Sequence, residues 1–280
     1  MADPLRHLLA EATRRLRANQ VDSPRLEAEI LLSYVLKKQR FELYAGRIKP
    51  KGEQISQFYR LIEQRSTGIP LPYLTGKVTF MGLVFKVSPA CFLPRPETEQ
   101  LVEHCLAYLK VFPERPAVLD IGTGCGAIAL SIAYHFLPAQ VIATDISVSA
   151  LALARYNRRS LGLTGRVKFF LADLYPPGKK QFHLIVSNPP YIPSGQIRSL
   201  PREVKWEPWA ALDGGPDGLK VIRQVLTSAG GLLLPGGYIF LEIGYGQDQL
   251  LRKEHFSGLR LVGFFKDFSG VVRFAVYHKN

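Results

Sequence analysis

Four consecutive residues, Asn188-Pro189-Pro190-Tyr191, combine groups that suit the binding of a planar NH2 group. The Asn amide offers one acceptor and two donors, and the Tyr ring offers a flat face. The two prolines lack a backbone N–H, so the carbonyls beside them face few competing donors. These residues (the 188–191 segment) predict a pocket for a carboxamide or for the exocyclic amine of a base.

The position of the 188–191 segment in the chain supports this interpretation. It directly follows the apolar run at residues 182–187, which predicts a buried strand. Open α/β sheets bind their ligands at the carboxyl ends of strands. The alternative is a simple turn, because Asn-Pro and Pro-Pro dipeptides also end strands where no ligand binds. His183 lies inside the predicted strand, and we expect it to be structural rather than a general base.

A glycine-rich loop, Gly122-Thr123-Gly124-Cys125-Gly126, predicts a cofactor site. Its glycines let the backbone approach a ligand closely, and the helix predicted to follow it offers unpaired N–H groups at its start. The Gly-x-Gly-x-Gly spacing differs from the Gly-x-Gly-x-x-Gly spacing of dinucleotide sites. The loop therefore predicts a nucleoside cofactor that lacks a pyrophosphate.

Acidic residues beside the predicted strand ends narrow the type of cofactor. Asp120 precedes the glycine loop, where it would repel a pyrophosphate and could contact a cationic cofactor; its alternative role is that of a turn residue. Asp145 ends the next predicted strand and is suited to accept hydrogen bonds from two ribose hydroxyls. Asp173 and Leu174 follow the third predicted strand, and we expect them at an adenine ring, although an ordinary surface loop is the alternative.

The apolar pattern of residues 1–75 predicts a small helical bundle. Asp3-Pro4 and Ser23-Pro24 are start signals for helices, and a third helix is predicted over residues 53–65. The side chains predicted to form its core are Leu5, Leu8, Leu9, Ala12, Leu16, Leu26, Ile30, Leu31, Tyr34, Val35, Ile55, Phe58, Leu61 and Ile62. Residues 76–96 alternate apolar positions with glycine and proline, which predicts a β-hairpin linker.

Strand and helix patterns alternate in residues 97–280, which predicts an α/β fold with a mostly parallel, seven-stranded sheet. Strands are predicted at residues 117–121, 140–145, 166–170, 182–187, 238–243, 259–265 and 271–277. Helices are predicted to end near residue 135 and to cover residues 149–160, 219–229 and 247–255. The last two strands are close enough in the chain to pair antiparallel.

Composition limits the class of protein. The 280 residues are 47% hydrophobic and 21% charged, which is typical of a globular enzyme, and no run approaches the ~20 apolar residues of a membrane span. Cys91, Cys105 and Cys125 have no metal-type spacing, so we expect no metal, no disulfide framework and a cytoplasmic setting. The net charge of +13 favours acidic or nucleic-acid-associated partners, or is simply a basic surface.

The glycine loop, Asp145 and the 188–191 segment together resemble the class I (Rossmann-like) S-adenosylmethionine-dependent methyltransferases. More narrowly, the chain resembles the HemK/PrmC group, the protein-(glutamine-N5) methyltransferases that modify peptide chain release factors. Three further stretches carry this resemblance: Pro72-Tyr73-Leu74-Thr75-Gly76, Phe92-Leu93-Pro94-Arg95-Pro96-Glu97-Thr98-Glu99 and Asp213-Gly214-Gly215-Pro216-Asp217-Gly218. The chain departs from the group at Cys125, where Thr or Ser is frequent, and at Leu174, where an aromatic residue is frequent.

The resemblance implies S-adenosylmethionine as the cofactor and the glutamine of a Gly-Gly-Gln loop in a release factor as the acceptor. It implies that the Asn188 side-chain oxygen and the Pro189 carbonyl accept the amide hydrogens, while Tyr191 stacks on the amide plane. The expected substrate-binding residues are Asn188, Pro189, Pro190, Tyr191, Arg95 and Glu97. The helical domain, residues 1–75, is expected to bind the release factor, and residues 97–280 to form the methyltransferase domain.

Three other functions use part of the same pattern. A nucleic-acid methyltransferase could receive a flipped adenine in the same pocket, but no nucleic-acid-binding module or Arg/Lys stripe is recognisable, so we expect no stable nucleic-acid binding. A nicotinamide-dependent oxidoreductase is disfavoured by the glycine spacing and by Asp120. A binding protein that has kept the fold without activity is the third alternative.

Overall fold

The computed structural model describes residues 4–45, 48–112, 115–178 and 180–280. Contacts divide the chain into two compact units, Met1–Gly76 with Pro201–Trp206, and Lys77–Leu200 with Glu207–Asn280. The hairpin predicted as a linker thus belongs to the second unit, while a short segment from the second half of the chain belongs to the first. The predicted helix cap at Asp3 lies outside the described residues.

The first unit contains a small helical bundle. Its helices are α1 (Pro4–Ala18), α2 (Pro24–Leu36), α3 (Glu42–Ala45), α4 (Gly52–Ser66) and α5 (Leu71–Thr75). The buried core follows the predicted stripes through Leu5, Leu9, Leu16, Leu31, Phe58 and Ile62. The prediction was wrong for Leu26 and Tyr34, which are exposed. Ala28 and Leu32 occupy the buried face of α2 instead, because the core-facing side of the helix is rotated from the predicted stripe.

A buried arginine explains why residues 201–206 belong to the first unit. Arg65, in the last turn of α4, is only 2% exposed. Its guanidinium forms ion pairs with Glu27 of α2 and with Glu203 of the 201–206 segment. A buried guanidinium without carboxylate partners would destabilise the fold by several kcal/mol, roughly 3–5. The two carboxylates therefore hold the segment to the bundle, and no local sequence signal indicates this pairing.

The second unit begins with a hairpin of β1 (Lys77–Phe80) and β2 (Leu83–Lys86), followed by α6 (Pro96–Leu109). Its further elements, in chain order, are β3 (Ala117–Ile121), α7 (Ala127–His135), β4 (Gln140–Asp145), α8 (Val148–Ser160), β5 (Val167–Leu171), β6 (Phe182–Ser187), two short 3₁₀ turns (Ser194–Ser199 and Trp209–Ala211), α9 (Lys220–Leu232), β7 (Leu233–Glu242), α10 (Gln247–Leu251), β8 (Leu259–Lys266) and β9 (Val272–Lys279). A third 3₁₀ turn, Val204–Trp206, lies in the segment that belongs to the first unit.

The large sheet confirms the predicted fold class. In the described residues it has seven strands in the order β5-β4-β3-β6-β7-β9-β8, and only β9 runs antiparallel to its neighbours. Successive strands run outward from β3 to β5, and the chain then returns to place β6 on the other side of β3. This reversal leaves a crevice beyond the carboxyl ends of β3 and β6, where such sheets bind ligands.

Side chains alternate between the two faces of the sheet, and this places two acids on the same face. Leu119, Ile121 and Leu241 pack with α9 in one apolar cluster. Because side chains point to opposite faces with a period of two, Asp120 and Glu242 lie on the other face. Both acids are completely or almost completely buried.

Helix α6 was missed by the sequence analysis. Its signals are Pro96 at the first helical position and the acidic Glu97 and Glu99 in the first turn. The predicted bounds also differ at β7, which begins at Leu233 rather than near residue 238, and at α10, which ends at Leu251. Among the described helices, none has the length and apolar character needed to cross a membrane.

Candidate active site

A cavity of about 400 Å³ opens at the carboxyl edge of the large sheet, within the second unit. Most of the predicted site residues line it: Gly122, Thr123, Gly124, Cys125, Asp145, Asp173, Leu174, Asn188, Pro189, Pro190 and Tyr191. The structure therefore brings the predicted cofactor loop and the 188–191 segment to one cavity. Four other predicted residues are not on its wall, namely Asp120, Gly126, Arg95 and Glu97.

The glycine loop is held against the neighbouring strand by its own backbone. The N–H groups of Gly122 and Thr123 both donate to the Thr144 carbonyl of β4, each at 2.9 Å. Gly126, at the start of α7, has a φ of +89°, and a Cβ there would lie 2.9 Å from a Leu130 side-chain atom. Gly126 therefore acts by allowing the tight turn into α7, rather than by contact with a ligand.

Asp145 ends β4 on the cavity wall, as predicted. Its Oδ2 accepts from Gly124 N and its Oδ1 from Ser147 N, both at 2.8 Å. Burial raises the pKa of this carboxyl group, and these backbone bonds oppose the shift. Each carboxylate oxygen has a further lone pair, so both can still accept hydrogen bonds from a ligand.

Asp120 lies beneath the glycine loop and is not on the cavity wall. Its Oδ2 accepts from the Thr123 hydroxyl at 2.6 Å and from Ala129 N at 3.1 Å. Its Oδ1 has no hydrogen-bond partner among the described residues. Burial raises the pKa of Asp120 to about 7. Asp120 therefore shapes the glycine loop, and its direct contact with a cofactor stays a prediction.

Asn157 of α8 supports the cavity and was not found from the sequence. Its side chain, 1% exposed, accepts from Lys86 N and donates to the carbonyls of Lys86 and Cys125. One amide thus ties the hairpin to the glycine loop. A lone Asn on an amphipathic helix gives no signal of this role.

Two cysteines face each other on the cavity wall. The thiols of Cys91 and Cys125 are hydrogen-bonded, which lowers the pKa of Cys91 and raises that of Cys125. Both are buried and neither is in a disulfide. In the described part of the chain, no cluster of His, Cys, Asp and Glu has a geometry suited to a metal ion.

The Asn188 side chain is oriented by residues that the sequence analysis did not assign. Its Nδ2 donates to Thr98 Oγ1 at 3.1 Å, and Thr98 Oγ1 donates to Glu242 Oε2 at 2.7 Å. The Tyr191 hydroxyl donates to the other oxygen of Glu242 at 3.3 Å. No described residue donates to Asn188 Oδ1, so this oxygen is available to a ligand. The sequence features of these two residues are that Glu242 ends an apolar strand and that Thr98 lies at the start of α6.

The 213–218 loop holds the chain just after the 188–191 segment. Ile192 N donates to Leu212 O at 3.0 Å, and Gly214 N donates back to Ile192 O at 2.9 Å. The Tyr191 carbonyl accepts from Gln247 Nε2 at 2.9 Å. A Cβ at Gly218 would lie 2.3 Å from that carbonyl oxygen. Gly218 is therefore required by the close approach of the two loops.

Arg95 and Glu97 are not part of the cavity wall. Arg95 forms an ion pair with the buried Glu207, which also accepts from Leu93 N at 3.3 Å. This pairing holds the segment before α6, and its neighbours Phe92 and Pro94 line the cavity. Direct binding of substrate by Arg95 and Glu97 stays a prediction.

The remaining predicted residues have clear positions. Leu174 lines the cavity with a φ of +68°, and its carbonyl accepts from Thr144 Oγ1 at 2.6 Å. Asp173 beside it is exposed. His183 Nδ1 accepts from Ala117 N at 3.0 Å inside the sheet, in agreement with a structural role, and burial lowers its pKa.

Comparison with known proteins identifies the family. Residues 7–76 match the PrmC N-terminal domain, and residues 99–200 match the methyltransferase small domain. The chain is 46% identical to the release factor glutamine methyltransferase of Moorella thermoacetica, over 89% of this chain and 88% of that protein. It is 42% identical to the protein of the same name from Geobacter sulfurreducens, over 81% and 79% of the two chains. The chain belongs to the release factor glutamine methyltransferase family.

Solved structures agree on the fold of this family member. A methyltransferase from Pyrococcus furiosus matches 71% of this chain and 89% of its own, with 22% identity and a TM-score of 0.50. A 16S rRNA methyltransferase from T. thermophilus, solved with AdoMet and guanosine, matches 73% of this chain and 49% of its own, with 20% identity and a TM-score of 0.50. At this identity the match supports the methyltransferase fold alone.

We expect Gly218→Ala to damage the active site of this family member more than an equally strained substitution elsewhere. The new Cβ would collide with the Tyr191 carbonyl and lie 2.5 Å from Gln247 Nε2. Turnover should fall by at least about tenfold as the 188–191 segment shifts. The measurement is the initial rate of methyl transfer.

The matched control is Gly162→Ala. Gly162 also has a positive φ, +70°, but nothing lies within 4 Å of its Cβ position. This variant should lose roughly 1–2 kcal/mol of stability and keep its turnover. Equal rates for the two variants would show that the close approach at Gly218 has no role.

Proposed function

We propose that this protein transfers a methyl group from S-adenosylmethionine to the side-chain amide nitrogen of the glutamine in the Gly-Gly-Gln motif of a peptide chain release factor. The observation that carries this proposal is the orientation of Asn188. Its NH2 is held by Thr98, which leaves the amide oxygen to accept a hydrogen from a planar NH2 group in the cavity. The family name supports the choice of glutamine.

The residues on the cavity wall fit S-adenosylmethionine. Asp145 offers both carboxylate oxygens to ribose hydroxyls, and the apolar side chains of Ile146 and Leu174 offer surfaces for an adenine ring. The unpaired oxygen of Asp120 provides negative charge beneath the loop, which favours a cation above it. When bound, the cofactor supplies an electrophilic methyl group on a positively charged sulfur.

In this proposal the protein promotes the reaction by orienting the substrate amide nitrogen rather than by strong acid–base catalysis. An amide nitrogen is a weak nucleophile because its lone pair is delocalised into the carbonyl. In this proposal, Asn188 Oδ1 and the Pro189 carbonyl accept its two hydrogens, and both favour the positive charge that develops on nitrogen. Alignment of this kind contributes on the order of 7–11 kcal/mol. The N–C bond would form as the bond between the methyl group and sulfur breaks, which leaves a neutral thioether. The methylated nitrogen would then lose its proton to solvent, so a strong base is unnecessary.

No histidine lines the described cavity, which agrees with this account. Tyr191 closes one side, and burial together with the neighbouring Glu242 raises its pKa, so the phenol stays protonated. It therefore contributes a ring face and a hydrogen bond, rather than a proton acceptor.

The first unit is proposed to bind the protein substrate. One glutamine side chain offers far less contact area than the roughly 800 Å² per partner of a specific protein interface. Residues 7–76 match a domain model that carries the family's name, which supports a role specific to this family. We expect the cytoplasm as the setting, and no stable binding of nucleic acid.

We expect Asn188→Ala to abolish turnover and to leave the affinity for S-adenosylmethionine within about threefold. The substitution removes the acceptor for the substrate amide while the glycine loop and Asp145 are unchanged. The measurements are transfer of labelled methyl to a purified release factor and calorimetric titration of the cofactor. A release factor whose Gly-Gly-Gln glutamine is changed to alanine is the control substrate. Label on that control, or on DNA alone, would contradict the proposal.

Removal of residues 1–76 should weaken release-factor binding by at least about tenfold and spare cofactor binding. The reason is that the cavity residues all belong to the second unit. Cofactor titration of the shortened protein serves as the test of its folding. Unchanged affinity for the release factor, in a shortened protein that still binds the cofactor, would refute the role of the first unit.

We expect the affinity for S-adenosylmethionine to rise with pH as Asp120 ionises. Because burial raises its pKa to about 7, Asp120 is largely neutral below that pH and negative above it. A cation in the cavity is stabilised only by the negative form, so the affinity should increase several-fold, up to about tenfold, between roughly pH 6 and pH 8.

Asp120→Asn is the matched variant for this measurement. Its amide oxygen can still accept from Thr123 and Ala129, but the side chain carries no charge. Titration of the ligand's own groups affects both proteins alike. The difference between the two affinity curves should therefore appear only above about pH 7; parallel curves would exclude the field of Asp120.

A further inference from the structure

Three side chains from three separate elements form one hydrogen-bonded chain beside the cavity. Asn188 follows β6, Thr98 lies in the first turn of α6, and Glu242 is the last residue of β7. The amide donates to the hydroxyl at 3.1 Å, and the hydroxyl donates to the carboxylate at 2.7 Å. Thr98 is 4% exposed and Glu242 is 1% exposed, so water does not compete with these bonds.

The number of available protons determines which group donates and which accepts in these two hydrogen bonds. An ionised carboxylate can only accept, so the single hydrogen of the Thr98 hydroxyl is committed to Glu242. The Thr98 oxygen can then only accept from Asn188. The group that Asn188 turns toward Thr98 must therefore be its NH2, and its oxygen must face the other way.

This direction matters because the two ends of an amide have nearly the same shape. If the Asn188 amide were flipped, its NH2 would face the NH2 of a substrate amide, and two donors would meet without an acceptor. A buried donor without an acceptor is unfavourable, so the flipped form would bind the substrate amide poorly.

We propose that Thr98 and Glu242 are positioning residues that select the orientation of the Asn188 amide, so that its oxygen faces the nitrogen to be methylated. This inference rests on the proposed function and assigns a role in it to two residues outside the 188–191 segment. Neither residue touches the reacting atoms in this assignment; Thr98 acts through Asn188, and Glu242 acts through Thr98 and Tyr191.

Glu242 also orients the second side chain of the pocket. The Tyr191 hydroxyl donates to Glu242 Oε1 at 3.3 Å, while Thr98 donates to Oε2. One carboxylate therefore fixes both the amide and the aromatic ring of the 188–191 segment. The carboxylate at the end of β7 therefore orients both side chains, Asn188 and Tyr191, that a planar NH2 group would contact.

The ionised state of Glu242 is required for this arrangement. Burial raises its pKa to about 7, while the bonds from Thr98 and Tyr191 and the charge of Arg273 on β9 oppose the shift. Glu97 on α6 favours the protonated form, and Arg273 is itself paired with Asp267 at 3.5 Å. Once protonated, Glu242 could donate to Thr98, whose hydrogen would then be released toward Asn188 and would favour the flipped amide.

Thr98→Val and Thr98→Ser form the central comparison. Valine keeps the branched shape of threonine without its hydroxyl, whereas serine keeps the hydroxyl. We expect kcat to fall by about 10- to 100-fold in Thr98→Val and to stay within about threefold in Thr98→Ser. The affinity for S-adenosylmethionine should stay within about threefold in both, because the glycine loop is unchanged. Wild-type turnover by the valine variant, or equal losses in the two variants, would overturn the proposal.

The pH profile tests Glu242 separately. At saturating cofactor, kcat of the wild-type protein should decline as the pH falls through about 7, because the protonated carboxyl no longer fixes the amide. Glu242→Gln should have a lower kcat that does not change over this range. A variant profile that follows the wild-type profile would exclude Glu242 as the titrating group and would overturn its role.

The orientation of Asn188 can also be observed without any substrate. Its side-chain NH2 signals in an amide NMR spectrum are identified as the pair that disappears in Asn188→Ala. Hydrogen exchange of one of the two protons should be slowed in the wild type and in Thr98→Ser, and should be fast in Thr98→Val. Equal exchange in all three would refute the positioning role. If the wild type methylates no release factor, the proposed function has failed, and this exchange measurement still decides the orientation.

Discussion

Carboxylates buried at the edge of the sheet are the constraint on which the site depends. A carboxylate that loses its contact with water destabilises the fold unless hydrogen-bond donors replace that water, and each donor fixes a piece of the chain. Four acids lie at or near the cavity: Asp120, Asp145, Glu207 and Glu242, of which Asp145 is half-buried on the cavity wall and the other three are buried. Asp120 accepts from Thr123 and Ala129, and Asp145 accepts from Gly124 and Ser147. Glu207 accepts from Leu93 and Arg95, and Glu242 accepts from Thr98 and Tyr191. The loops around the cavity are thus held in place by the hydrogen bonds that they donate to these carboxylates.

An ionised acid differs from other buried polar groups because it can only accept. A hydroxyl or an amide in the same place could reverse its hydrogen bond, and the neighbouring groups could then reverse as well. Burial raises the pKa of both Asp120 and Glu242 to about 7, so their ionised and neutral forms are about equally populated near pH 7 and the ionised form predominates only above it. Buried acids with a raised pKa are more frequent at functional sites than in the rest of a fold, where apolar residues of similar size would be more stabilising. Their value here is the fixed direction of the bonds around them.

The sequence predicted the features that depend on local patterns. The mostly parallel sheet could be inferred from the alternation of strand and helix patterns, although its strand order was not predicted. The glycine loop, Asp145 and the 188–191 segment could be inferred because each combines a spacing with a strand end. The role of Glu242 could not be inferred, because an acid at the end of an apolar strand does not indicate which hydroxyl groups will form hydrogen bonds with it. The pairing of Arg65 with Glu203 was also inaccessible, since it joins distant parts of the chain. The burial of Asp120 away from the α9 side was within reach of the sequence, because alternation along β3 places it on the face opposite Leu119 and Ile121.

The chemistry of the pocket also limits what the pocket can select. A glutamine amide and an adenine amine both present a planar NH2 group, and Asn188, Pro189 and Tyr191 offer the same acceptors and ring face to each. Fixing the Asn188 amide makes the pocket specific for a donor of two hydrogens, but not for the molecule that carries it. Selection of a protein loop over a nucleic acid must therefore depend on contacts outside the 188–191 segment. In the proposed function these contacts are assigned to the helical unit, whose residues 7–76 match the PrmC N-terminal domain.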